Sequence, residues 1–381
     1  MEEIMQNEVQ DITQPSLNSN SDLNPNSEID RELEEILKVQ SARIKVVGVG
    51  GAGGNTVSRM REIGIKGGEI ISVNTDAQDL LYTNADKKIL IGREISKGLG
   101  AGSNPRIGAE AAREQTQDIK KALANPDMVF ITCGLGGGTG SGAAPIIAEV
   151  AKKLGALTIG VVTLPFTVEG RKRIENAVEA LEKMESIVDT LIVIPNDKLL
   201  ELAPDLPLPT AFKVADEILT NAVKGITELV TRSGLVNLDF ADVKTVMADG
   251  GVSLIGMGES DSNSRAQEAV EKAINNPLLD VDIKDASGAL VNVLGGEDLA
   301  LEEYKQIVQT IGEQLAPDAK LISGAQISKD LSGTDGNKGG IKVMVIITGV
   351  HSAQISGEKL PIEKQKIQEM EDELGIEFLE E

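Results

Sequence analysis

From residue 43 onward the apolar positions gather into short, nearly continuous runs: RIKVVGVG, EIISVNT, KKILIG, DMVFITCG, LTIGVVTL and DTLIVIP, most of them separated by stretches with helical spacing. Val- and Ile-rich runs without alternation suit strands covered on both faces, and strands alternating with helices imply a parallel sheet. The pattern predicts a doubly wound α/β domain over residues 43–208. Next, Phe212, Ala215, Ile218, Leu219, Ala222, Ile226 and Leu229 recur at three- and four-residue spacing, which predicts one long central helix over 209–233 with a broad apolar stripe. Beyond it VSLIGMG, GALVNVLG, KLISGAQI and IKVMVIITGV read as strands, with helical patterns near 262–275 and 299–314, so a second, smaller α+β domain is expected over 234–350.

Residues 1–26 are polar and lack an apolar period, and are expected to be disordered. Ser27 with Asp30 reads as a capping box, and Ile29, Leu33, Ile36 and Leu37 then mark a short helix that completes a leader of residues 1–42. Residues 351–381 end in EMEDELGIEFLEE, an acidic tail.

Composition narrows the chemistry. The 381 residues are 41% apolar and 25% charged, ordinary globular values, so the 40 glycines point to local loops and not to a fibrous repeat. Asp and Glu total 60 against 37 Lys and Arg, and the net charge of −23 argues against a broad grip on nucleic acid or anionic lipid. Cys133 is the single cysteine, which excludes an intrachain disulfide framework; at the end of an apolar strand it reads as a small core residue. His351 is the single histidine, in a polar stretch after the last strand, so a histidine zinc site or a Ser/His/Asp triad is not expected. No apolar run approaches the roughly 18 residues of a membrane span, and MEEIMQNEVQ lacks the features of a secretory signal, so a cytoplasmic protein without direct membrane insertion is expected.

Two glycine loops then dominate. The first strand runs into GVGGAGGN, where Gly48, Gly50 and Gly53 satisfy G-x-G-x-x-G before a helix, and Asp76 lies at the end of the next strand, where a ribose-binding acid is expected. A tight strand-to-helix turn also needs some of these glycines, so this loop alone leaves both readings open. The second, GLGGGTGSG from residue 134, also sits between a strand and a helical pattern, with Thr139 and Ser141 as added hydroxyl donors. Inward-facing amides and positive helix ends at two strand ends of one sheet suit a polyphosphate better than the single pyrophosphate of a nicotinamide cofactor. No G-x-x-x-x-G-K-[ST] occurs, so amides, helix ends and a bound cation must neutralise the charge. A third loop, GLGAGSNP, offers Asn104 as N-cap and Pro105 at N1 of a further helix, and is a candidate cover for the terminal phosphate.

GGGTGSG at 136–142 matches the tubulin signature, and VNTDAQDL, GLGAGSNP, TLPFTVEGRKR, IPNDKLLE, AFKVADEIL and GLVNLDFADVKTVM follow in the order seen in FtsZ, the prokaryotic homologue of tubulin. Over residues 43–350 the chain resembles the tubulin/FtsZ family, closest in general look to its archaeal members. The resemblance implies a GTPase that polymerises head to tail into filaments for cell division, binding GTP or GDP with Mg2+. Carried over residue by residue, Gly51, Ala52, Gly53, Gly54, Asn55, Gly102, Gly137, Gly138, Thr139 and Gly140 hold the phosphates and ribose, and Glu169 and Arg173 hold the ribose end. Asn196 and Asp216 read guanine, and Phe212 stacks on the base. At Asn237, Asp239 and Asp242 spacing alone favours capping of a helix start, but the resemblance implies a catalytic loop that enters the neighbouring subunit's nucleotide site, where its carboxylates position or polarise the water that attacks the γ-phosphate. Asp76 either orders waters of the magnesium ion or caps its turn.

The implied partners are further copies of the chain, together with membrane-anchoring and division-regulating proteins, in a ring at the division site. The acidic ending LGIEFLEE departs from the apolar and basic terminal peptide of bacterial members. Two alternatives stay open at this level: a nicotinamide-dependent oxidoreductase built on GVGGAG and Asp76, and a filament scaffold that does not hydrolyse.

Overall fold

Strand β1 (Ile44–Val49) is buried along nearly its whole length, as a central parallel strand must be, and the rest of the architecture grows outward from it. In the computed structural model, residues 42–65, 67–202, 207–231, 234–236, 238–279, 283, 286–333 and 338–350 are described. The expected leader, the acidic tail, His351 and Asn237 lie outside the described residues.

To one side of β1 lie β2 (Gly68–Asn74) and then β3 (Lys87–Leu90); to the other lie β4 (Met128–Gly134), β5 (Leu157–Leu164) and β6 (Thr190–Pro195), all parallel. The sheet continues past β6. Thr190, Leu191 and Ile192 pair in parallel with Gly251, Val252 and Ser253 at the start of β7 (Gly251–Ser260). After β7 come β10 (Ile341–Thr348), antiparallel to both its neighbours, then β8 (Gly288–Gly295) and β9 (Lys320–Ile327), for ten strands in the order β3-β2-β1-β4-β5-β6-β7-β10-β8-β9.

Helices cover both faces. On one side α1 (Gly50–Ile63), the long α8 (Leu208–Thr231) and α9 (Phe240–Met247) pack on Val46, Phe130, Ile159, Ile192, Leu290 and Ile346. On the other, α3 (Pro105–Glu114), α4 (Thr116–Ala122), α5 (Thr139–Lys153), α6 (Arg171–Glu185), α10 (Arg265–Ile274) and α11 (Leu301–Gly312) cover Val47, Ile131, Val162, Val193 and Val345. Two short helices, α2 (Ala77–Tyr82) and α7 (Asn196–Leu202), follow β2 and β6. Cys133 is fully buried, and burial pushes its thiol up to about 12, which makes it an inert core residue. Among the described residues no helix is long and apolar enough to cross a membrane.

The tightest helix pair positions the site. A Cβ on Gly142 of α5 would lie 1.9 Å from the Pro105 carbonyl oxygen and 2.7 Å from the Ala109 nitrogen, so α3 and α5 meet backbone to backbone. Neither partner can give way without unwinding a helix. Gly142→Ala should therefore cost about 3 kcal/mol or more, and thermal unfolding followed by circular dichroism should show a fall of roughly 5 °C or more in Tm. An unchanged midpoint would mean that the two helices separate at no cost.

Candidate functional site

The strand order turns at β1: the chain proceeds from β1 to β2 and β3 on one side, then returns to place β4 on the other. Crevices for ligands open at the carboxyl ends of strands at such a point. A cavity of about 780 Å³ lies there, bordered among others by Val49, Gly51, Ala52, Asn55, Gly138 and Thr139.

Its floor is two helix N-termini. The sequence places both glycine stretches in loops that precede helices, whereas α1 begins at Gly50 and α5 at Thr139, so much of each stretch is the first helical turn itself. Glycine is a poor helix former, but here close approach overrides propensity. Gly50 has φ 72°, and a Cβ on it would lie 3.1 Å from the Gly140 nitrogen. Neither helix has a side-chain cap at its N-cap residue, Val49 or Gly138. The N–H groups that a cap would satisfy thus remain for a ligand, and the dipoles of helices of 14 and 15 residues make that ligand an anion.

The walls carry the side chains. Phe212, at the start of α8, is 41% exposed and stands edge-on to the buried Phe166, with ring centroids 5.3 Å apart at 81°. Its free face borders the cavity. Four residues further along α8, Asp216 accepts from Thr56 Oγ1 at 2.8 Å, and burial pushes its carboxyl above the usual range, against the lowering effect of Thr56 and Arg59. Asn196 begins α7; its Oδ1 is buried and unpartnered among the described residues, which leaves an acceptor for a donor supplied from outside. Glu169 accepts from the Phe166 N–H at 2.9 Å and pairs with Arg173 one turn on, so the two are held together at the rim.

The cavity thus brings together Gly51, Ala52, Asn55, Gly137, Gly138, Thr139, Gly140, Glu169, Arg173, Asn196, Phe212 and Asp216 of the residues expected from the sequence. Gly53 and Gly54 lie beneath it. A Cβ on Gly53 would stand 2.5 Å from the Thr132 carbonyl oxygen, so its role in this fold is close packing of α1 on β4. Gly102 is exposed outside the lining. Sequence reasoning passed over Asn74, Asp79 and Ser103, which do border the cavity. Asn74 Nδ2 donates to Asp79 Oδ2 at 2.6 Å, and the only signal for the pair was two polar residues flanking Asp76 in VNTDAQD. Thr139 Oγ1 lies 2.6 Å from Thr75 Oγ1, joining the first turn of α5 to the end of β2.

Asp239 and Asp242 lie elsewhere. They follow the far end of α8, a helix of 24 residues and so about 36 Å long, and neither borders the cavity. Asp239 is the N-cap of α9 and accepts from the Asp242 N–H at 2.8 Å, while its own N–H reaches Asp242 Oδ2 at 3.3 Å. The loop before them is anchored to β9 through Leu235 N–H to the Ala325 carbonyl at 2.9 Å, with Leu235 itself exposed.

No cluster of three metal-binding side chains occurs among the described residues. The carboxylates at the cavity are partly engaged, Asp76 by the N–H groups of Gln78 and Asp79 at the start of α2, and Asp79 by Asn74. Such a donor set suits a hard cation that takes most of its ligands from phosphate oxygens and water, which is how Mg2+ is held at polyphosphate sites.

Residues 43–204 match the model of the Tubulin/FtsZ family GTPase domain, and residues 251–351 that of the FtsZ family C-terminal domain. Cell division protein FtsZ 1 of Thermococcus kodakarensis is 58% identical over 326 residues, 86% of each chain. Cell division protein FtsZ of Methanothermobacter thermautotrophicus is 55% identical over 348 residues, 91% of this chain and 90% of the other. Among solved structures, an empty FtsZ dimer from Methanocaldococcus jannaschii superposes with a TM-score of 0.79 at 55% identity, covering 85% of this chain and 92% of that one.

Proposed function

The chain belongs to the tubulin/FtsZ family of GTPases, a cytoskeletal cell-division family, and we propose that it hydrolyses GTP in a site that two copies of the chain complete together. The matched GTPase domain spans both glycine loops, so the nicotinamide alternative is set aside.

In this reading the uncapped N-termini of α1 and α5 take the phosphates through backbone N–H groups, and Asn55, Glu169 and Arg173 take the ribose. Guanine lies on the free face of Phe212, where Asp216 accepts from N1–H and the 2-amino group together. Adenine offers no such pair of donors on that edge. The orphaned Asn196 Oδ1 receives a further donor from the base. Gly53, Gly54 and Gly102 are carried over by resemblance alone: Gly53 packs on the Thr132 carbonyl, Gly54 faces the Thr83 side chain, and Gly102 is exposed. A magnesium ion on the side of Asp76 and Asp79 would neutralise charge on the β- and γ-phosphate oxygens.

The observation that carries the shared site is separation: Asp239 and Asp242 stand a helix length from the cavity floor formed by the two helix N-termini, at the opposite end of α8. Head-to-tail stacking would bring them, with Asn237 beside them in the chain, to the next copy's γ-phosphate. There a carboxylate orients the attacking water and accepts its proton as the bond from phosphorus to the bridging oxygen breaks. Residues 43–208 and 234–350 then act as the two lobes of one subunit with 209–233 as the spine between them. Filaments that act in cell division follow from the same reading and draw support from the relatives' names; membrane-anchoring and regulatory proteins that would tether them at the division site are carried over from the family resemblance alone.

Phosphate release measured against protein concentration tests this. Turnover per molecule should be near zero below a threshold concentration and rise steeply above it. A rate per molecule that stays constant on dilution would sink the shared site, and no phosphate release with filaments present would favour the scaffold alternative.

A further inference from the structure

Asn176 sits on α6, 5% exposed, between two loops that both reach the cavity. Its side-chain amide donates to the Ser103 carbonyl oxygen at 3.3 Å and to the Gly136 carbonyl oxygen at 3.4 Å. Among the described residues no other side chain hydrogen-bonds to both loop 98–104 and loop 134–138. The second loop has its own anchor, Gly136 N–H to Ser141 Oγ at 2.8 Å, and leads into α5, which the sheet and α3 hold.

The first loop is different. Ser103 has φ 59°, a left-handed conformation that costs a non-glycine residue about 1 kcal/mol, and Gly98, Gly100 and Gly102 are left-handed as well. A backbone so far from regular structure keeps its place only where its surroundings determine it. The loop's first half is tied to the chain after β2 by Ala77 N–H to the Gly98 carbonyl at 3.0 Å and Gly100 N–H to the Thr75 carbonyl at 3.2 Å; its second half is held by the packing of Ala101 against Gly138, where a Cβ would come within 2.8 Å, and by Asn176 on the Ser103 carbonyl. Ser103 also borders both the 780 Å³ cavity and a neighbouring groove of about 820 Å³ that Asn176 lines, so the amide stands in the wall between them.

We propose that Asn176 is a positioning residue that sets loop 98–104 over the phosphate end of the cavity and so gives the site its preference for a nucleoside triphosphate over the diphosphate. This rests on the reading of the cavity as a guanine-nucleotide site. The helix N-termini are fixed by the sheet and serve either nucleotide. Loop 98–104 reaches the cavity through Gly100 and Ser103; the Gly100 N–H is taken by the Thr75 carbonyl at 3.2 Å, so the donors the loop can offer lie in its second half, where the Asn176 amide holds the Ser103 carbonyl and ties it to the Gly136 carbonyl.

The test compares Kd for GDP and for a non-hydrolysable GTP analogue in the full chain, the Asn176→Ala variant and the Ser141→Ala variant, by calorimetry below the assembly threshold. Loss of Asn176 should weaken the triphosphate about five-fold or more, the effect of one lost positioning hydrogen bond, and leave GDP nearly unchanged. Ser141→Ala, which frees only the second loop, should move both affinities alike and keep their ratio. If Asn176→Ala fails to unfold cooperatively, Asn176→Ser, which cannot span both carbonyls, should show the same fall in ratio. A wild type that binds both nucleotides, with an unchanged ratio in the position-176 variants, overturns this proposal alone; a wild type that binds neither overturns the cavity reading and this proposal with it.

Discussion

Asp242→Asn should reduce GTP turnover by roughly 10²- to 10⁴-fold, the usual contribution of a positioned acid–base group, while filaments still form with GTP and then persist. The choice of asparagine matters because Asp242 has a visible second task. Asp239 and Asp242 cap each other across the first turn of α9, each accepting from the other's backbone N–H. Removing such a cap with alanine costs about 1 kcal/mol, enough to shift α9, which has only 8 residues. Asparagine keeps an acceptor oxygen of the same reach but cannot take a proton from water, so it separates capping from catalysis. Sedimentation reports the filaments, phosphate release the chemistry, and the unfolding midpoint the cap. Wild-type turnover in Asp242→Asn would leave Asp242 as a helix cap only. The same experiment on Asp239→Asn apportions the work between them.

Asp216→Asn should weaken GTP binding about a hundredfold, since two hydrogen bonds to an ionised acceptor are lost. It should also shift preference toward xanthosine triphosphate, whose 2-oxo group can accept from the asparagine amide where guanine's 2-amino group cannot. The pH dependence has a defined sign. Burial raises the Asp216 carboxyl in the folded chain, so the folded state holds that proton more tightly than the unfolded one. Without nucleotide, its contribution to stability is fully present below the ordinary carboxylate range and is lost as pH rises through the raised value. Nucleotide binding needs the ionised form, so GTP affinity should instead fall as pH drops through that same value. Asp216→Asn removes both dependences, and the nucleotide-free variant should melt no lower than the wild type at neutral pH. Equal GTP affinity in variant and wild type would place the base elsewhere in the cavity.

The features that could be read along the chain are those set by neighbours in sequence. The Val/Ile runs between Ile44 and Pro195 became β1, β2, β4, β5 and β6 because a strand buried on both faces needs apolar residues along its length, whatever covers it, while the edge strand β3 begins with the exposed Lys87 and Lys88. The stripe from Phe212 to Leu229 became α8 for the equivalent reason at period 3.6, and Asn104 and Pro105 start α3 because capping is a matter of adjacent residues. The signature glycines marked where a backbone must come close to something.

What they come close to was not legible, since it depends on residues distant in sequence. Gly53 faces Thr132, Gly142 faces Pro105, and glycines that would weaken an isolated helix form first turns because a neighbouring backbone occupies the space of a Cβ. The passage from β6 to β7 and the strand order beyond it rest on pairings such as Thr190 with Gly251, which no local period encodes. Asn176 looked like any polar helix residue until the fold set two carbonyls against its amide. Composition and period dictate which segments form and which faces are buried, because those follow from solvation of each residue. The length of α8 was legible in its period, but the separation of Asp239 and Asp242 from the cavity belongs to the fold, because the direction in which α8 packs across the sheet is what places one at each end.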